Sequence, residues 1–148
     1  MTAVAVVGDT GALLAAYARD EPDHIACRKA LDTVGHLVIS PLVLAELDYL
    51  AHRTLGVGAA MGILEDIIDR CTIGRFEVPE VASHLGAARI VMRRYPELSM
   101  GLTDAINVAL AAEFRTDAVL TIDRRHFRAI RPLTNHQAFR LLPDDLGD

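Results

Sequence analysis

Four carboxylates stand out in this chain for the company they keep: Asp9, Glu46, Asp104 and Asp123. Asp9 follows an apolar run, AVAVVGD, and Asp123 closes another, AVLTID. Asp104 opens an apolar helix pattern, AINVALAAEF, with almost no polar face. Glu46 lies in SPLVLAELDYL, where its i±3 and i±4 neighbours are Leu42, Val43, Tyr49 and Leu50. On such an apolar face an unpaired carboxylate would be costly. Several acids drawn to one partly buried site repel one another and raise each other's pKa. A hard divalent cation relieves that repulsion. Mg²⁺ favours carboxylate and water oxygens in octahedral geometry, usually with one or two direct carboxylates. The remaining acids can then hold metal-bound waters or orient the attacking one, an arrangement suited to phosphodiester hydrolysis. Each acid also has a local explanation of its own: an Asx-turn at Asp9, a helix dipole at Asp104, a cap at Asp123.

What could bring them together? Four segments read as strands, residues 3–7, 37–39, 118–122 and 139–142. Helical patterns fall near 12–19, 24–34, 42–55, 59–69, 81–95 and 103–114, and 72–78 reads as an extended connector. Short apolar strands alternating with amphipathic helices indicate an α/β fold, a central parallel sheet of four to five strands with helices on both faces. In such sheets ligands bind in the crevice beyond the carboxyl ends of the strands. Asp9 and Asp123 each follow a strand directly. After the second strand, Ser40 and Pro41 make a good N-cap and first turn for the helix carrying Glu46. The four acids are thus expected along one edge of the sheet.

The 148 residues suit one domain, with a short acidic tail, PDDLGD, from about 143. No apolar run is long enough to span a membrane. No basic region precedes Val4–Val7 and Asp9 interrupts the run, so a cytoplasmic location without membrane contact is expected. Cys27 and Cys71 read as reduced thiols. The six histidines show no paired-ligand spacing and read mostly as surface or core residues. Net charge is −5, yet all but one of the 15 basic residues are Arg, the exception being Lys29. Arg suits bidentate phosphate contacts. Two groups cluster, Arg89, Arg93 and Arg94, then Arg124, Arg125, Arg128 and Arg131, although solvated helix faces would also carry them.

Taken together, GDTGALLA around Asp9, SPLVLAELDYL around Glu46, LTDAINVALA around Asp104 and VLTIDRRHF around Asp123 resemble PIN-domain ribonucleases. More specifically they resemble the VapC-type toxins of bacterial toxin–antitoxin pairs, and the likeness spans nearly the whole chain. The resemblance implies a PIN-like fold over residues 1–148 and a four-acid site formed by Asp9, Glu46, Asp104 and Asp123. It also implies Mg²⁺ or Mn²⁺ as cofactor, with Asp9 and Asp104 as metal ligands and Glu46 and Asp123 acting directly or through water. Thr121 matches a hydroxyl position beside such a site. RNA would be the substrate, a VapB-like antitoxin the inhibitor, and a homodimer the assembly. Arg124 and Arg125, next to Asp123, are the RNA-contact candidates.

Other readings fare less well. Phosphatases of the haloacid dehalogenase type need a second Asp two residues after the first, where this chain has Gly11, and a lysine that Lys29 is badly placed to supply. A receiver domain needs an early acidic pair and a late lysine. Neither GxxxxGK[ST] nor GxGxxG occurs. The alternative from another class is a PIN-fold module that binds RNA or protein without cutting. Four clustered acids in an apolar setting speak against it.

Overall fold

The computed structural model describes residues 4–145. β1 (Ala5–Gly8) leads through α1 (Thr10–Tyr17) and α2 (His24–Thr33) to β2 (His36–Ile39). Next come α3 (Pro41–Leu55), α4 (Val57–Thr72) and a two-residue strand, β3 (Phe76–Glu77). A 3₁₀ turn (Ala82–His84), α5 (Leu85–Arg94) and a second 3₁₀ turn (Pro96–Leu98) precede α6 (Leu102–Glu113). β4 (Ala118–Leu120), α7 (Arg124–Ala129) and β5 (Arg140–Leu142) complete the order.

The five strands form one sheet in the order β3-β2-β1-β4-β5, every neighbouring pair parallel. Alternation along the strands separates two cores. Val6, Leu37, Ile39, Ala118 and Leu120 face α1 to α4, while Ala5, Val7, Val38 and Val119 face α5 to α7. Burial on both faces is why these strands are continuously apolar rather than alternating. The chain leaves β1 toward β2 and β3 and returns on its other side to β4 and β5. The strand order therefore reverses between β1 and β4, where a parallel sheet opens its ligand crevice.

Several expected boundaries shift for identifiable reasons. α1 begins at Thr10 rather than 12, because Asp9 caps it and accepts the Thr10 N–H at 2.9 Å. Gly11, in that first turn, lets α1 approach the segment after β4: a Cβ there would stand 3.2 Å from Ile122 Cγ1. Ser40 caps α3 as expected, accepting from the Leu42 N–H at 3.1 Å. Gly56, at φ 93°, separates α3 from α4 in a conformation L side chains avoid. The expected helix over 81–95 divides into the first 3₁₀ turn and α5, and the connector 72–78 contains β3. β4 ends at Leu120, leaving Thr121 and Ile122 beyond the strand.

α7 was not expected, because its sequence, RRHFRA, buries only Phe127 and so carries no apolar period. The acidic tail is held through Asp145: Asp144 pairs with Arg124, and Asp145 pairs with Arg128 at 2.7 Å and accepts the Leu141 N–H at 2.8 Å. Residue 3 of the first expected strand and residues 146–148 of the tail lie outside the described residues. Cys27 is buried, Cys71 half-buried, and both are free thiols. Among the described residues no helix is long and apolar enough to cross a membrane.

Candidate active site

At the switch point, the Asp9 N–H donates to the Leu120 carbonyl at 2.9 Å, tying the end of β1 to the end of β4. Asp9 is only 7% exposed. The Thr121 hydroxyl donates to its Oδ2 at 2.9 Å and accepts the Asp123 N–H at the same distance. One buried threonine thus links the acids that follow β1 and β4. Burial pushes the Asp9 carboxyl above the usual carboxylate range; the Thr121 and Thr10 hydrogen bonds work the other way, while Asp123 and Glu46 add repulsion.

Asp104 lies in the first turn of α6, and its side chain is 19% exposed. Its pKa is pushed up to about 6, first by burial, then by the charges of Asp9 and Asp123, with His126 opposing and Glu46 contributing. Asp9, Glu46, Asp104 and Asp123 therefore come within electrostatic reach of one another, as repelling acids at one locus must.

Glu46 reaches the locus by a different route from the one its neighbours suggested. The expected buried apolar face is absent: Glu46 is exposed and Tyr49 is 62% exposed. The reason is the helix's own stripe. Val43, Leu47 and Ala51 turn inward, which leaves Glu46 on the flank. Its carboxylate is satisfied instead by two hydroxyls, Thr10 at 2.9 Å on Oε2 and Thr103 at 2.6 Å on Oε1. These threonines adjoin Asp9 and Asp104 in sequence, so the residues beside two of the acids hold a third.

Asp123 caps α7, accepting the His126 N–H at 3.4 Å. His126 is the residue that sequence reasoning missed, having been grouped with surface and core histidines. Its Nδ1 stands 2.8 Å from Asp123 Oδ2 and 3.4 Å from Asp104 Oδ2. Asp104, Asp123 and His126 each offer an atom within one 4.8 Å cluster that could hold a metal ion. The i,i+3 spacing of Asp123 and His126 across a helix start was the available signal. Arg124 and Arg125 are both exposed beside this cluster, Arg124 engaged with Asp144.

Comparison with known proteins bears on the family and the fold. The PIN domain family model matches residues 6–132. Ribonuclease VapC26 of Mycobacterium tuberculosis (strain ATCC 25618 / H37Rv) is 40% identical over 127 residues, covering 84% of this chain and 91% of that protein. Among solved structures, Mycobacterium tuberculosis VapC20, a Sarcin-Ricin loop cleaving toxin, superposes with a TM-score of 0.68 at 18% identity. That match covers 82% of this chain and 93% of VapC20. VapBC2 from Rickettsia felis, bound to a DNA fragment from their promoter, gives 0.63 at 16% identity, over 88% and 96% of the two chains. At these identities the two structures speak to the fold.

Proposed function

This chain belongs to the PIN-domain family, and from that premise we propose that it is a metal-dependent endoribonuclease acting in the cytoplasm as the toxin of a toxin–antitoxin pair. The observation that carries the reading is the gathering of Asp9, Glu46, Asp104 and Asp123 at the switch-point crevice, where the other three acids all act on Asp104. A pure binding surface has no use for that repulsion. The residues present fit a divalent cation: Asp104, Asp123 and His126 bring donor atoms within one 4.8 Å cluster, and Asp9 stands near enough for its charge to raise Asp104. Asp9, Asp104 and Asp123 would hold Mg²⁺ or Mn²⁺, which when bound supplies an activated water and screens the phosphate.

The chain's own groups do the rest. Thr121 fixes the rotamer of Asp9 and the backbone of Asp123 through one hydroxyl. Glu46, clamped by Thr10 and Thr103 at the exposed rim, orients water against the phosphodiester. Arg125, exposed beside Asp123, offers a guanidinium to the RNA backbone, and Arg124 does so when it leaves Asp144. A VapB-like antitoxin and a second copy of the chain are the proposed partners. Exposed Val57, Met61 and Ile68 on α4 support protein contacts of this kind.

The test is to incubate purified, antitoxin-free protein with total bacterial RNA in Mg²⁺, in Mn²⁺ and in EDTA, and to map the new ends. Discrete metal-dependent cuts are expected. Folded, metal-loaded protein that retains RNA and leaves it whole would make this a binding module instead.

A further inference from the structure

His126 has more to do than pack. Its Nε2 lies 3.1 Å from the Leu98 carbonyl, which can only accept, so Nε2 carries a hydrogen. The turn presenting that carbonyl, Pro96–Leu98, is closed by Ser99 at φ 48°, a left-handed conformation that non-glycine residues disfavour. A strained turn 28 residues away in sequence thus anchors one edge of the ring. The other edge turns Nδ1 toward Asp123 Oδ2 at 2.8 Å and Asp104 Oδ2 at 3.4 Å. With hydrogen on Nδ1 these are hydrogen-bond and ion-pair contacts; once that hydrogen is displaced, all three atoms offer lone pairs to a cation.

An imidazole whose far N–H is spent on a backbone carbonyl is the usual form of a metal-ligating histidine, since the anchor fixes the tautomer and aims the free nitrogen. The spacings agree. Neighbouring ligands on an octahedral ion with bonds of ~2.1 Å stand about 3.0 Å apart, between the two distances observed. We infer that His126 Nδ1 is a nitrogen ligand completing a site with Asp104 and Asp123, and that the site takes a transition-metal dication such as Mn²⁺ in preference to Mg²⁺. The preference follows from donor chemistry. Imidazole binds first-row transition metals well, while Mg²⁺ selects oxygen. The inference rests on the metal-dependent reading above, and goes beyond it in naming a ligand outside the four acids and the metal it selects.

The test needs no RNA. The full chain is stripped with EDTA, loaded with Mn²⁺ alone, and examined by pulsed EPR for nitrogen coupled to the ion. Mn²⁺ and Mg²⁺ affinities are then measured for the wild type and for His126→Gln, which keeps an amide N–H able to reach the Leu98 carbonyl but removes Nδ1. Wild type should show nitrogen coupling. The variant should lose it and bind Mn²⁺ about tenfold or more weakly, with a much smaller change for Mg²⁺ and an unchanged melting temperature in EDTA. An all-oxygen Mn²⁺ spectrum in wild type overturns the inference, whether or not the variant folds. So does equal loss of both metals in a folded variant. Cleavage of RNA is scored separately: nitrogen-coupled Mn²⁺ in a protein that cuts no RNA would sink the nuclease reading and leave this one standing, and metal-dependent cutting with an all-oxygen site would do the reverse.

Discussion

Replacing Asp104 by Asn should make the metal-free protein more stable, even as it removes activity. Asp104 titrates at about 6 against an ordinary 3.8, first because it is buried and then because Asp9 and Asp123 repel it. Two pKa units correspond to about 3 kcal/mol favouring the neutral over the ionised form. At 19% exposure solvent screens little of this. Asn keeps the shape without the charge, so we expect a gain of about 1–3 kcal/mol at pH 7.5 in EDTA. For a chain of this size, 1 kcal/mol moves the melting temperature by about 3 °C, giving a rise of about 3–9 °C. The sign with pH is fixed. A carboxyl raised in the folded state penalises folding fully above its folded pKa of about 6, and not at all below 3.8, where both states are protonated. The variant's advantage must therefore shrink as the pH falls from about 6.5 toward 4. Saturating Mn²⁺ should reverse the order, because only the wild type gains binding free energy. Thermal unfolding followed by circular dichroism in EDTA at pH 7.5 and 4.5, then with Mn²⁺, reads all three effects. A variant no more stable than wild type at pH 7.5 without metal would refute the reasoning.

Other expectations follow from the same contacts. Thr121→Val leaves a buried oxygen of Asp9 and the Asp123 N–H without their shared partner, so it should cost about 1–3 kcal/mol in urea unfolding; an unmoved midpoint would show the bridge to be idle. Thr103→Val releases one oxygen of Glu46 at the rim and should lower kcat more than KM, with stability changed by less than about 1 kcal/mol. Metal affinity, followed by calorimetry, should weaken by about tenfold per pH unit once the pH drops below about 6, as protons compete at Asp104. A flat profile would remove Asp104 from the ligand set. Arg125→Ala should weaken RNA binding and reduce the salt slope by about 1, without altering metal affinity; an unchanged slope would exclude a phosphate contact there.

Much of this molecule was legible in its sequence, and the gaps have physical causes. The continuous apolar runs ending at Gly8, Ile39 and Leu120 announced strands buried on both faces, and their carboxyl ends located Asp9 and Asp123. β3 escaped notice because two residues carry no period, and its place is set by pairing with β2. α7 escaped because it contributes one core side chain, Phe127, stacked edge-on against Phe139 at 5.8 Å. Glu46 was singled out for a reason the fold does not bear out: its neighbours are apolar, but the buried stripe of α3 passes beside it. What holds it is a pair of threonines from α1 and α6, which no local pattern in α3 could reveal. His126 depends on the Leu98 carbonyl, a backbone atom with no signature of its own. The contacts that hold the tail had no local signal, because its arginine partners lie about a helix and a loop earlier in the chain.

The most direct test of a four-acid metal site is the cleavage rate of Asp9→Asn, Glu46→Gln, Asp104→Asn and Asp123→Asn, each confirmed folded, on a mapped RNA target at saturating Mn²⁺. Losses of about 100-fold or more in all four, with the melting temperatures in EDTA kept or raised, are the predicted result. A folded variant of any of the four that cuts at the wild-type rate would contradict the site.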